Sequence, residues 1–328
     1  MNKRIDWIDQ VKGFGIFLVV YGHNFPVTEK YIYSFHMPLF FLIAGIFHPA
    51  IQNKSTIIKR VKTILVPYFI WSFLLFLFWV FLGRFYGESA NLNLSVYKNF
   101  IGVFYAQGGQ EFMDWGIPLW FLPTIFLTFL LFYFIKKINN KYLEYLVIIL
   151  LTSVGFLLPY IWNIKFLWSF DVALVSVIFY ALGFYLKGVF TSENKPSWLF
   201  FIVLGVLHIS LFAFNGKIDM YRSVYGNQIL FLLNGFVGVL FYLSLFKLIP
   251  KFKFFGFLGR FTIPILALQI RTVTVIKLGL IVFLGTKNFE FNEFEKLIMS
   301  IFQIIIMIPI LFIIKKYIPI LNGGSKKI

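Results

Sequence analysis

The sequence predicts an all-α integral membrane protein, a bundle of about ten transmembrane helices with both termini cytoplasmic. Three observations lead there. Hydrophobic residues make up 60% of the 328 residues and charged residues only 13%, about half the charged share of a soluble domain. Apolar runs of about 20 residues, the length that spans a bilayer, recur along the whole chain. Lysine and arginine collect in the short segments between those runs.

Taken in order, residues 7–23 open on charged groups and then turn apolar. The runs 31–53, 63–83, 115–135 and 145–164 follow without a single Asp, Glu, Lys or Arg, whereas 166–186 contains Asp171. The runs 196–216 and 223–246 are again uncharged, 261–284 holds Arg271 and Lys277, and 297–314 closes the series. An even number of spans puts both termini on one side. With the N-terminus in the cytoplasm, the inside segments hold two thirds of the 30 basic residues and under a third of the 13 acidic ones. The outside segments hold equal numbers of each, as the positive-inside rule requires.

The connections are short, so the chain reads as one integral domain over 1–328 with no soluble module. The exception is 84–116, whose length fits either a lid over an outward-facing site or a plain connector. The net charge of +17 sits in short loops and not on one soluble face, which argues against nucleic acid as a partner. With no cysteine there is no disulfide framework, thiolate nucleophile or zinc–thiolate site, and no metal is expected. No cleavable signal is expected either. Richness in Phe, Ile, Lys and Asn suggests an AT-rich bacterial genome, hence the bacterial inner membrane.

Chemistry concentrates early. In "WIDQVKGFGIFLVVYGH", Lys12 and His23 lie three helical turns apart, on one face and about 16 Å from each other. Asp9, three residues before Lys12, can pair with it. Ionisable groups inside spans are costly and usually face a polar cavity; the plain alternative is a snorkelling Lys12 and an interfacial His23. His36 in "SFHMPLFF" returns to the depth of His23 across a short turn, and Asn24 makes a third polar group there. Lys59, Arg60 and Lys62 lead into the third span, either as ordinary positive-inside residues or as an anion site, for which arginine supplies a bidentate fork. His48 and His208 read as structural, and Asp171 and Arg271 as buried charges whose partners include each other or Lys12. Trp120, between Pro118 and Pro123, offers an indole face to a sugar or to the membrane interface. No Walker loop, Rossmann glycine pattern, HExxH or GxSxG occurs.

At these residues the chain resembles the acyltransferase 3 family of bacterial membrane enzymes, most of all its fucose 4-O-acetylase-like branch. Asp9, Lys12-Gly13 and the ten-residue spacing from Lys12 to His23 are similar to the family's opening motif. "FHMPLFFLIAG" (35–45) and "KRVKTILVPYF" (59–69) resemble its next two segments, and weaker likenesses run through "PLWFLPTIF" (118–126), "VIFYALGFYLKG" (177–188) and "VYGNQILFLLNGFVGVL" (224–240). The resemblance implies an O-acetyltransferase that moves acetyl from cytoplasmic acetyl-CoA to a hydroxyl of a cell-surface or lipid-linked polysaccharide, of capsule or exopolysaccharide type. His23 is then general base or acyl carrier, with Asp9, Lys12 and His36 beside it in the catalytic set. Lys59, Arg60 and Lys62 bind the donor, and Trp120 and Asn24 meet the acceptor. The chain departs from the family at Gln269, where a late histidine is common, and at Lys62, where a second arginine is common. Other acceptors stand as alternatives (a peptidoglycan sugar, a lipid headgroup, a small molecule), as does a glycan-precursor transporter or flippase. Oligomeric state is not legible.

Overall fold

Asparagine and serine side chains start many of the helices. Asn53 accepts from the Thr56 N–H, Asn140 from those of Tyr142 and Leu143, Ser197 from Phe200 and Asn227 from Leu230. Asn292 forms a reciprocal capping box with Glu295. Each cap satisfies a donor that the first turn leaves over, which stabilises a helix by about 1 kcal/mol.

The structure, a computed structural model, describes residues 5–50, 52–86, 88–162, 164–285 and 290–324. The helices that position the site are α1 (Asp6–Gly22), α2 (His36–Ile46), α3 (Lys54–Phe81), α4 (Val96–Tyr105), α5 (Ile117–Ile135), α6 (Lys141–Ile161), α7 (Leu167–Tyr185), α8 (Trp198–Phe214), α9 (Gln228–Leu248), α10 (Lys253–Leu258), α11 (Thr262–Leu284) and α12 (Glu293–Tyr317). Among the described residues there is no strand, only an isolated bridge between Asp219 and Val224. Among the described residues seven helices, α3, α5, α6, α7, α9, α11 and α12, are long and apolar enough to cross a membrane. The other three expected spans contain shorter helices: α1 and α8 of 17 residues and α2 of 11.

The run 31–53 differs most from expectation. A five-residue helix, Glu29–Tyr33, stops at Ser34 and Phe35, and α2 begins anew at His36. Pro38 is the reason. In an unbroken helix its ring would strike the Ser34 carbonyl four residues back, whereas in a first turn its missing N–H is not needed. Pro67 acts similarly in α3. It has no N–H for the Thr63 carbonyl, and the helix widens into a π turn over Val61–Leu65, with the Val66 N–H going to the Val61 carbonyl. The Thr63 carbonyl becomes a docking point for Gly323, where a Cβ would come within 2.4 Å of it. The 84–116 connection is no loose loop either. It folds as α4 and a short helix Gln110–Met113, with the Trp79 indole and the Ser89 hydroxyl both donating to the Asp114 carboxylate, at 2.6 and 2.5 Å.

Helix α1 is the central element, packing against α2, α9, α10, α11 and α12. Side chains of α6 and α8 instead leave a broad apolar surface outside, including Leu146, Ile149, Leu150, Leu199, Ile202, Val206 and Ile209. A surface of that size and composition is at home in lipid, so the chain is a multi-pass membrane protein. Inside lipid the hydrophobic effect does not draw helices together, and close contact through small residues takes its place. Two such crossings stand out. A Cβ on Gly13 would lie 1.8 Å from the Phe255 carbonyl oxygen, and one on Gly259 would lie 1.8 Å from that of Asp9. Gly45 and Gly183 make the same reciprocal approach between α2 and α7, against the carbonyls of Tyr180 and Leu42.

Gly13→Ala forces α1 off α10 and is expected to cost about 1–3 kcal/mol, the usual penalty of overpacking. Its thermal unfolding in detergent should fall by several degrees. Gly279→Ala, at a position with nothing within 4 Å, should hold or raise it, because alanine is the better helix former. Equal midpoints for Gly13→Ala and the parent protein would show that the crossing is not close.

Candidate active site

Helix α1 ends at Gly22, and His23 closes it with its backbone N–H on the Val19 carbonyl. The side chain turns back to the same carbonyl: His23 Nδ1 lies 2.7 Å from Val19 O. A carbonyl only accepts, so Nδ1 carries the proton and, in the neutral ring, Nε2 keeps the lone pair. His36, the first residue of α2, repeats the device, donating from Nδ1 to the Ile32 carbonyl at 2.8 Å. Gly22 permits the approach of Tyr33, since a Cβ there would come within 3.1 Å of the ring. Tyr33 in turn packs on His36, with ring centroids 5.0 Å apart.

Both histidines line one cavity of about 100 Å³, together with Tyr33, Trp120, Asp219 and Tyr221. Its apolar wall comes from Ile16 and Val19 of α1, Phe40 of α2 and Leu266 of α11. The predicted residues His23, His36 and Trp120 are thus brought together. Trp120, only 6% exposed, belongs to this wall and not to an outer belt. Tyr33, Asp219 and Tyr221 were not anticipated. The signal available for Asp219 is that it is the only acidic residue between Glu193 and Glu290.

Asp219 sits on a built hairpin between α8 and α9. Its N–H donates to the Val224 carbonyl at 2.7 Å, the Val224 N–H returns at 3.0 Å, and Ser223 makes the turn with φ +58°. The Ser223 hydroxyl donates to the Asp171 carboxylate on α7, so that buried acid has its partner here and not in Lys12 or Arg271. Burial pushes the Asp219 carboxyl up to about 6, against the opposing pull of Arg222, Lys217 and Lys165.

A polar stripe on α12 holds the turn after His23. Lys296 donates to the Phe25 carbonyl at 2.9 Å, and Glu293 accepts the Val27 N–H at 2.9 Å. One turn deeper, the Asn24 amide donates to Ser300 Oγ at 2.8 Å and to Gln303 Oε1 at 2.7 Å. Residues 293, 296, 300 and 303 share one helix face. Expected as a substrate contact, Asn24 is placed by the structure as a strut that fixes the end of α1, outside the cavity lining.

Other predicted residues lie elsewhere. Lys12 pairs with Asp9 at 3.4 Å, as its spacing indicates. Arg60 donates to the Phe47 carbonyl at 3.1 Å and stacks 5.3 Å over the Phe129 ring, while Lys59 and Lys62 are exposed. This basic group therefore stands past the far end of α2 from His36, with a helix of about 15 Å between them. Lys62 lies within the π turn. Arg271 binds the carbonyls of Asp114 and Trp115, at 2.5 and 3.3 Å, and so straps the 84–116 segment to α11. His48 bonds Tyr180 and Gln52, and His208 bonds Asn234; neither lines the cavity.

Comparison with known proteins fits these motifs. No curated protein and no solved structure matches the chain. A family profile described as an acyltransferase domain does match, over residues 5–315, which takes in every helix named above apart from the last two residues of α12. The chain belongs to the acyltransferase 3 family, whose activity is acyl transfer.

Proposed function

We propose that this protein is a membrane O-acetyltransferase of the fucose 4-O-acetylase-like branch, moving acetyl from cytoplasmic acetyl-CoA to a hydroxyl of a cell-surface or lipid-linked polysaccharide. The observation that carries this reading is the pair of imidazoles on one cavity wall, each pinned through Nδ1 so that Nε2 of the neutral ring keeps its lone pair. In this reading α1, α2 with its preceding turn, and α8 complete ten spans in a bacterial inner membrane, with both termini cytoplasmic.

Acetyl-CoA carries phosphates at one end and a thioester at the far end of a flexible arm. The exposed Lys59 and Lys62 with Arg60 receive the phosphates, and the arm reaches toward His23 along α1 and α2. His23 Nε2 takes the proton of the acceptor hydroxyl as its oxygen attacks the thioester carbonyl. A C–O bond forms, the C–S bond breaks, and the proton passes from the imidazole to the departing sulfur. Passage of the acetyl group through His23 Nε2 is the other route open to the same geometry. Asp9, paired with Lys12 at the inner end of α1, fixes the charge beside the donor's path.

The test is reconstitution of the purified protein with labelled acetyl-CoA and glycan acceptors. His23→Ala should lower transfer by about 10²-fold or more, the usual weight of a general base, without loss of thermal stability. Normal transfer by that variant would sink the assignment, and glycan movement that needs no acetyl-CoA would point to a transporter instead.

Arg60→Ala should raise the acetyl-CoA KM by about 10-fold, a charge-assisted contact being worth roughly 1.5–3 kcal/mol. Arg60→Lys should recover only part of that, because an ammonium lacks the bidentate fork. An unmoved donor KM in both variants would remove Arg60 from donor binding.

A further inference from the structure

The cavity carries chemistry that transfer at a histidine does not use. Asp219 is 6% exposed and lies on its wall, yet among the described residues no N–H or O–H donates to its carboxylate. Arg222 Nε, at 3.6 Å, is an ion-pair contact too long for a hydrogen bond. An ionised carboxylate offers about four acceptor positions, and leaving them unmet inside a protein is costly. On the same wall the Trp120 indole N–H and the Tyr33 hydroxyl also have no partner among the described residues. Tyr221, whose hydroxyl accepts from Arg222 Nε at 2.6 Å, stands 6.4 Å from Trp120 between ring centroids.

Gly108 allows this aromatic pair to be covered. It has φ +81°, and a Cβ there would meet both the Tyr221 ring and the Trp120 side chain at 3.1–3.2 Å. The chamber therefore has apolar faces, one strong acceptor and two uncommitted donors. An apolar wall with a few convergent polar groups is the usual make-up of a small-molecule site. A simple alcohol would leave most of those groups unmet.

We propose that Asp219, Tyr33, Trp120 and Tyr221 form the acceptor subsite, and that it takes a sugar ring presenting two adjacent hydroxyls to the Asp219 carboxylate. This rests on the acyl-transfer reading and adds to it the residues that select the acceptor. The ring face lies on Trp120 and Tyr221, and the hydroxyl to be acylated points toward His23 and His36. Because burial pushes the Asp219 carboxyl up to about 6, the carboxylate form prevails above that pH and is lost below it. The charged groups bearing on it are Arg222, Lys217 and Lys165, which favour the carboxylate, and Glu29, which opposes it. Acceptor affinity is therefore expected to fall as pH drops through about 6.

The experiment uses the full-length protein in liposomes with labelled acetyl-CoA and a panel of methyl hexopyranosides, each beside its 2-, 3- or 4-deoxy analogue. The parent protein should prefer a diol-bearing ring over its deoxy analogue by 10-fold or more in kcat/KM. Asp219→Asn should raise the acceptor KM about 10-fold, erase that preference and flatten the dependence of acceptor KM on pH, with a smaller change in the donor KM. Should Asp219→Asn fail to fold, Tyr33→Phe removes a single hydroxyl and should raise the acceptor KM several-fold. Parent-like acceptor KM and preference in the variants would overturn the subsite while leaving acyl transfer standing. A parent protein that acylates no sugar but does acylate another acceptor overturns the subsite and the glycan acceptor while leaving acyl transfer standing, and one that acylates nothing takes both readings down.

Discussion

The arrangement depends on how closely α1 meets α10. At Gly13 and Gly259 two backbones touch with no side chain between them, which sets both the depth and the rotation of α1. Depth fixes where Lys12 and His23 stand along the bundle axis, and rotation fixes that His23 faces α2 and α5 instead of lipid. In a bilayer this contact cannot be replaced by greasy bulk, because lipid chains solvate a leucine as well as another helix does. Dispersion gains only about 0.1–0.2 kcal/mol per atom pair, so a firm crossing needs many atoms in reach, and glycine supplies that reach.

A second constraint follows from the same solvent. A polar side chain that lipid cannot hydrate must find its partners inside the protein. The two histidines meet this demand half-way: one ring nitrogen is bound to the chain's own backbone, and the other is left to the cavity. Spending Nδ1 on a carbonyl four residues back fixes the ring orientation and the tautomer together, the service that a carboxylate performs in many histidine sites. The polar face of α12 completes the device by holding Asn24, Phe25 and Val27 through hydrogen bonds to the turn beyond His23. Glu293, Lys296, Ser300 and Gln303 read as an unrelated scatter in the sequence because their partners lie over 260 residues away.

What was legible in the sequence follows from range. Hydropathy and the placement of Lys and Arg are local signals, and they gave the membrane class and the seven long apolar helices. The Asp9–Lys12 pair and the shared depth of His23 and His36 were also local, separated by a turn or a short connection. The break at Ser34–Phe35 had a local cause in Pro38, but hydropathy is blind to it, since a broken and an unbroken apolar run have the same composition. Asp171 and Arg271 were seen as buried charges, yet their partners, Ser223 and the carbonyls of Asp114 and Trp115, required the tertiary fold. Asp219 was missed for the same reason. A lone acid in a short connection looks like any solvated loop residue until the hairpin folds it over the cavity.

The placement of charge along α2 bears on how such a site works at all. Its C-terminal end meets Arg60 at the Phe47 carbonyl, and its N-terminal end begins with His36. A helix of only 11 residues thus separates a cationic surface from a buried imidazole, a distance of about 15 Å. That is far too long for the two to act on one small molecule, and it suits a substrate that is charged at one end and reactive at the other. The spacing belongs to the helix alone, since His36 and Phe47 would stand as far apart in an unbroken run; the break before Pro38 changes only how the chain arrives at His36, through the short helix Glu29–Tyr33.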